Sequence, residues 1–419
     1  MIRPQPTADP GSARWDAAVA AALLVVIAVM FLPVLHLGFW GEDFFFLRQA
    51  HAAQHHPEVL LRRWVEPFNR PLTQAAFFLE FRRWGLGPAG YLLDRLLLHA
   101  LNSLLLYVLL RRLLGRGTAA GAALLFAAGV GFYGKALMDA VFLGDSLSTF
   151  FLLATGVAAG AGAGSPRRGG QWLGGWGAAV LFALALGCKE SAIMALVMCA
   201  GLVWVRGRGW AAAVRTLLPL ALVAVAYGVV QMAGGSGVAA VLRGPQERLL
   251  SAPIQGLRLA TLMLLPVQPA SPLLGSAPAA VRAGVGVLHA ARPYLGLALL
   301  AAGLVWLWRG PAAVRWLVAT FFAFLLPFGL IPLEGDWLQI RYAYLPATMF
   351  CGLLALIVRW LWARRTRWGK LLAVVILAAA LAGDAVLVRA LAAKYRAMSR
   401  APENLQELRA LQALRRSEP

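Results

Sequence analysis

Apolar runs long enough to cross a bilayer recur along this chain, and they constrain its fold more than any other feature. The first, Ala17 to Leu35, contains no charged residue. A helix needs roughly 18–20 such residues to span the hydrocarbon layer. Comparable runs are centred on 91–113, 118–134, 139–161, 172–188, 191–206, 211–232, 287–308, 312–332, 342–363 and 370–390. Within lipid every backbone polar group must be satisfied inside its own segment, so these runs are helices. The chain is 60% hydrophobic over 419 residues, above the roughly half that is usual for a soluble protein. The fold class expected is an all-α polytopic membrane protein with about eleven transmembrane helices. The first run is long and no small-residue cleavage site follows it, so it reads as a retained span rather than a signal peptide. The stretch 249–268 is apolar but carries Pro253, Gln255, Arg258 and Pro266; it reads as a re-entrant or interfacial helix.

The formal charge of +21 suggests nucleic acid only if the basic residues form a face. Instead they sit in short loops between apolar runs: 111–117, 165–170, 206–215, 309–315 and 363–370, none containing an acid. This is the positive-inside pattern, which puts those loops in the cytoplasm and excludes nucleic acid as a partner. Alternation then places 38–90, 135–138, 189–190, 233–286 and 333–341 outside. Few lysines among many arginines, with abundant Ala and Gly, suggest a GC-rich bacterial genome, so the expected location is the inner membrane with the acidic face toward the periplasm. Twelve acids fall on or near that outer face: Glu42, Asp43, Glu58, Glu66, Glu80, Asp94, Asp139, Asp145, Glu190, Glu247, Glu334 and Asp336. Ionisable residues beside apolar spans are costly and tend to be functional.

Five polar clusters stand at the outer span ends. Glu42 and Asp43 follow the first span in "LGFWGEDFFFLRQAH". Loop 38–90 then mixes aromatics with arginines, as interfacial helices do, and brings Arg70 to the interface. Arg95, His99 and Asn102 share one face of the second span by their i, i+4, i+7 spacing. Lys135 and Asp139 flank a short turn, with Asp145 deeper. Lys189 and Glu190 form another turn, and Glu334, Asp336, Arg341, Tyr342 and Tyr344 a last one. Acids can activate a hydroxyl nucleophile, and Arg or Lys can hold a phosphate leaving group. Together they suit group transfer from a lipid-linked donor. The glycine run "AAGAGAG" at 158–164 follows a span and lacks the lysine of a phosphate-binding loop. The cysteines Cys188, Cys199 and Cys351 have no metal-ligand spacing and read as small buried hydrophobes.

The order of motifs "GEDFFFLR", "NRPLTQ", "WGLGPAGYLLDRLLLHALNSLLLYVLLRRL", "LMDAVFLGDSLSTFFLLA", "LALGCKES" and "RYAYLP" resembles the GT-C superfamily of integral-membrane glycosyltransferases, in particular its protein O-mannosyltransferase-like and transmembrane-plus-tetratricopeptide-like branch. The resemblance covers about 38 to 350. It implies a GT-C-like bundle over 1–390, with 38–90 as a first periplasmic loop carrying interfacial helices; the tail over 391–419 reads as amphipathic or disordered from its own residues, with Leu405, Leu408 and Leu411 spaced about three apart. It implies that Asp43, with Glu42 as the alternative, is the catalytic acid of the first outer loop, and that Asp139 is the acid of the second. It implies that Arg70, Lys135, Lys189 and Arg341 bind the donor phosphate, with His99, Asn102, Glu190 and Tyr342 lining the substrate pocket. The chain departs from its relatives in having Glu-Asp where Asp-Asp is frequent, and residues 207–330 match in hydropathy only.

The expected function is therefore an inverting glycosyltransferase at the periplasmic face. Its partners are a polyprenyl-phosphate sugar donor and a lipid, glycan or protein acceptor. Metal use varies across the superfamily; no residue is assigned to a metal and the cofactor is unknown. The competing expectation is a transporter or flippase for a lipid-linked or anionic substrate, which would spread ionisable residues through the bilayer depth.

Overall fold

The computed structural model describes residues 10–64, 68–206, 209–233, 246–265, 278–329, 339–364 and 366–416. Every element among them is an α- or 3-10 helix. Nine helices among the described residues are long and apolar enough to cross a membrane, and they coincide with nine of the expected spans. In chain order the α-helices begin with α1 (Pro10–Phe31), α2 (Glu42–His55), α3 (Pro71–Trp84), α4 (Pro88–Leu114) and α5 (Arg116–Ala127). Next come α6 (Leu143–Gly164), α7 (Arg168–Cys188), α8 (Ala195–Arg206), α9 (Trp210–Ala233) and α10 (Gln246–Leu264). The chain ends with α11 (Ala279–Arg309), α12 (Ala312–Gly329), α13 (Tyr344–Ala363), α14 (Arg367–Ser399) and α15 (Pro402–Arg416).

Two expected spans, 118–134 and 191–206, form shorter α-helices of 12 residues each, α5 and α8. Helix α5 stops because Gly129 and Gly131 take positive φ, as does Phe132 at 61°, and the chain resumes in a one-turn 3-10 helix at Gly134–Leu137. Helix α8 is preceded by a 3-10 turn over Glu190–Met194, whose first residue is held by an ion pair described below. The segment expected to be re-entrant or interfacial is α10, which is not among the nine.

Packing follows the rules of lipid rather than of water. Leu24, Val25 and Val29 of α1 are more than half exposed, the outward face a lipid-facing helix presents. Small residues let helices approach where hydrophobicity cannot drive them together. The glycine run 158–164 serves this purpose: a Cβ on Gly162 would stand 2.9 Å from Gly174 Cα of α7. At one end of the bundle the basic loops meet. There Arg111 Nη1 reaches Asp16 Oδ2 at 2.5 Å, Arg215 donates to Gln171 at 2.9 Å, and Arg359 donates to the Leu114 carbonyl at 3.1 Å.

At the opposite end, α2 and α3 form a separate aromatic layer. Phe39, Phe44, Trp64, Phe77, Phe81 and Tyr91 pack there with Leu47. Glu80 of α3 and Arg95 of α4 form a buried ion pair that ties this layer to the spans. The C-terminal residues complete it. Helix α14 continues to Ser399, and α15 folds back over α2. Leu411 is buried in the aromatic layer, Glu407 pairs with Arg48, and Asn404 Oδ1 accepts from the Gly41 amide at 3.3 Å.

Candidate functional site

Gly41 turns the chain into α2 with φ of 54°, a conformation glycine adopts without steric cost. The turn leaves Glu42 and Asp43 in the first turn of the helix, where the amide dipoles favour negative charge. The two acids face different surroundings. The Glu42 side chain is 70% exposed, with Arg341 Nη1 at 3.9 Å. Asp43 is 2% exposed and accepts from the Trp40 amide at 3.1 Å and the Val141 amide at 3.3 Å. The second contact brings the turn before α6 against the start of α2. That turn also supplies Asp139, which is buried within electrostatic reach of Asp43.

Two buried carboxyl groups that interact titrate as a pair. Burial pushes Asp43 up to about 7, although the Trp40 and Val141 amides favour its anion. Burial and then the charge of Asp43 hold Asp139 well above the usual carboxylate range, with Lys135 opposing. Lys135, itself buried, is lowered to about 8 by desolvation, against the pull of Asp139. Its Nζ stands 5.3 Å from the Trp40 ring centre and 5.7 Å from that of Phe142. Arg341 covers the other aromatics, with its guanidinium 4.5 Å from the Phe142 ring centre and 4.9 Å from that of Tyr342. It donates to the Tyr342 hydroxyl at 3.0 Å, while its buried Nε finds no acceptor among the described residues.

A second pair of cations lies beside the first, each matched to its own acid. Arg70 forks onto Glu190, Nε to Oε2 at 3.0 Å and Nη2 to Oε1 at 2.6 Å. Burial works against both charges, yet the partner and the neighbouring groups together outweigh it: Glu190 is held below, and Arg70 above, its ordinary value. Lys189 pairs with Asp145, and its Nζ stands 5.4 Å from the Phe328 ring centre and 5.3 Å from that of Tyr342.

The structure thus gathers Glu42, Asp43, Asp139, Lys135, Arg341 and Tyr342 in one group, with Arg70, Glu190, Lys189 and Asp145 adjoining. His99 and Asn102 sit beneath it, fully buried between α4, α5 and α13. His99 Nε2 stands 3.3 Å from the Ala127 carbonyl, and Nδ1 3.0 Å from the Tyr344 hydroxyl. The carbonyl only accepts, so Nε2 carries the proton and Nδ1 accepts from Tyr344. The Tyr344 oxygen then accepts from Asn102 Nδ2 at 2.9 Å, which also donates to the Ser146 carbonyl at 2.9 Å. This network joins four helices, α4, α5, α6 and α13, directly below the acids. Glu66, Glu334 and Asp336 lie outside the described residues. No three His, Cys, Asp or Glu side chains cluster as metal ligands among the described residues.

Sequence reasoning passed over two residues that border the acids. Trp40 and Tyr395 stack with ring centres 4.7 Å apart and planes 16° from parallel. Trp40 stands in the opening motif and was legible as its neighbour. Nothing in the sequence links Tyr395, near the end of α14, to that motif.

No family model matches the chain, and no curated protein matches it. Solved structures do. The oligosaccharyltransferase of Archaeoglobus fulgidus, tethered to an acceptor peptide containing the NVT sequon, superimposes with a TM-score of 0.52 at 13% identity, over 91% of this chain and 55% of its own. The same organism's AglB, in complex with an inhibitory peptide and a dolichol-phosphate, gives 0.51 at 13% identity over 93% and 56%. ArnT from Cupriavidus metallidurans bound to undecaprenyl phosphate gives 0.47 at 16% identity, over 98% and 73%. The chain spans little more than half the length of the oligosaccharyltransferase. At this identity the likeness is one of fold alone: the chain shares the helical membrane fold of these oligosaccharyltransferase structures.

Proposed function

We propose that the chain is an inverting glycosyltransferase that moves a sugar from a polyprenyl-phosphate donor to an acceptor hydroxyl. One observation carries this reading. Asp43 and Asp139 are two buried carboxyl groups within electrostatic reach of each other, beside the cations Lys135 and Arg341 held against aromatic rings. The grouping lies at the end of the bundle opposite the basic loops. The positive-inside pattern makes that end periplasmic in a bacterial inner membrane. The oligosaccharyltransferase that shares the fold was solved with a dolichol-phosphate, which favours a lipid-linked donor here.

The acceptor hydroxyl loses its proton to the Asp43 carboxylate as its oxygen bonds to the anomeric carbon. The bond from that carbon to the phosphate oxygen breaks on the opposite face, and the polyprenyl phosphate departs with the electron pair. Asp43 suits the base role better than Glu42. A base should titrate near the working pH, and burial brings Asp43 there while Glu42 stays in solvent. Lys135 and Arg341 are assigned to the leaving phosphate. Arg341 has a buried donor still to satisfy, and charge-assisted bonds to phosphate are strong. Arg70 and Lys189 are already matched by Glu190 and Asp145, so their part is to hold the turns that carry the others. Ionisable groups concentrated at one end favour transfer over passage through the bilayer.

The test is transfer by purified protein from a panel of radiolabelled polyprenyl-phosphate sugars to added acceptor. Asp43→Asn should insert normally and bind donor, yet transfer about 10²–10⁴ times more slowly. Full specific activity in that variant would remove Asp43 from the mechanism; no transfer by wild type from any donor would remove the reading.

A further inference from the structure

The Trp40–Tyr395 stack has no part in the mechanism above, and its polar atoms are anomalous. Tyr395 is fully buried and its hydroxyl meets no partner among the described residues. The indole Nε1 of Trp40 is buried and equally unmatched. Tyrosine and tryptophan usually find a partner for these groups when buried, and an unsatisfied donor costs free energy that Phe in either place would avoid. Both atoms belong to one rigid platform, since the rings are stacked 4.7 Å apart.

The platform stands against the acids. The Trp40 amide holds Asp43 Oδ2 at 3.1 Å, and Lys135 Nζ lies 5.3 Å from the Trp40 ring centre. Tyr395 is within electrostatic reach of Asp139 and Arg341. The platform is braced from behind. Asn404 Oδ1 accepts from the Gly41 amide, Asn404 Nδ2 donates to the Met398 carbonyl at 2.7 Å, and Leu411 is buried among the residues that pack α2. Two donors fixed by stacking, and by a helix folded back for more than 350 residues of chain separation, are preorganised for an oxygen acceptor.

We propose that Trp40 Nε1 and the Tyr395 hydroxyl form a substrate-binding subsite that takes an oxygen of the lipid-linked donor's headgroup. That oxygen belongs to its phosphate or to a hydroxyl of its sugar. The inference rests on the functional reading above and adds Tyr395 to the residues that touch substrate. Both groups donate, so the subsite selects headgroups presenting acceptor oxygens and gives nothing to a bare polyprenyl alcohol beyond its single hydroxyl.

The variant that decides is Tyr395→Phe, which keeps the stack and removes one atom. Binding of undecaprenyl phosphate, of undecaprenyl alcohol and of a sugar-linked donor would be measured on full-length protein in nanodiscs, beside thermal unfolding and transfer kinetics. The expected result is donor affinity weakened about tenfold, the loss of one hydrogen bond to an acceptor, with no loss of thermal stability. If the acceptor is phosphate, undecaprenyl phosphate weakens equally; if it is a sugar hydroxyl, only the sugar-linked donor does. Unchanged binding of every probe overturns the subsite, as does a lowered melting temperature with unchanged affinity, which marks the hydroxyl as structural. Trp40→Phe should add to the loss for the same probe. Because binding is read apart from transfer, a wild type that binds but transfers nothing sinks the glycosyltransferase reading and leaves the subsite standing.

Discussion

Asp43 and Asp139 are buried within electrostatic reach of each other, and the behaviour of the site with pH follows. Asp43 is raised from 3.8 to about 7, by burial first, and Asp139 is also raised, by burial and then by Asp43. A group whose folded pKa lies above its unfolded value stabilises the fold below the unfolded value and loses that contribution as pH rises through the folded one. Thermal stability in detergent should therefore fall as pH rises from about 4 toward 7, and Asp43→Asn should flatten this slope. Activity should run the other way, since the base must be ionised: kcat should rise with an apparent pKa near 7. A rate independent of pH between 5 and 8 would contradict this. The cations separate on the same reasoning. Arg341→Ala should weaken donor use by about 1.5–3 kcal/mol, a bond to a charged group, and Arg341→Lys should restore only part of it. Lys189→Ala should instead lower stability, because it strands Asp145. Donor titrations beside melting curves distinguish the two. The acid pair was legible in "GEDFFF", and so was the face of α4 bearing Arg95, His99 and Asn102, all buried together. Which acid is buried was not legible, because Val141, 98 residues away, decides it.

At the scale of elements, the α3–α4 hairpin anchors the first outer loop through one buried ion pair. Arg95 is wholly enclosed and bonded to Glu80; burial raises Glu80 to about 7 despite Arg95 beside it. Removing one partner leaves the other uncompensated. Glu80→Ala should cost about 3–5 kcal/mol, whereas the double change Glu80→Leu with Arg95→Leu should recover most of it. Reversible unfolding in mixed micelles would read both; equal losses would mean the pair acts through packing alone. Most span positions could be read from apolar run length, since lipid fixes the length a crossing helix needs. The break after α5 could not. Glycine is common in membrane helices, and only φ values of 96° and 110° at Gly129 and Gly131 show that these two end one. The glycine run at 158–164 was excluded as a phosphate loop, but its use as a contact with Gly174 needed the neighbouring helix.

The whole molecule presents two unlike ends, and the proposed orientation can be tested with single cysteines, because the three native ones are buried. A membrane-impermeant thiol reagent should label Leu61→Cys, at a site 84% exposed, on intact spheroplasts. It should reach Gly117→Cys, on a basic loop, only after permeabilisation; the opposite pattern would reverse the orientation and move the acids to the cytoplasm. Charge distribution made this division readable, because sorting by loop charge needs no contact information. The joining of the two chain ends was not readable. Leu405, Leu408 and Leu411 showed an amphipathic segment, but not that its apolar side would meet α2. That junction bears on how the protein is made. A ribosome delivers helices to the membrane in order, so the acids of α2 are synthesised early and wait there without Tyr395 or Asn404 beside them. Their surroundings are finished only when α14 and α15 arrive, after the preceding crossings have been laid down. A nascent chain, or one cut short before α14, thus holds its acids without the groups that stand beside them, and the site is assembled only once α14 and α15 have been made.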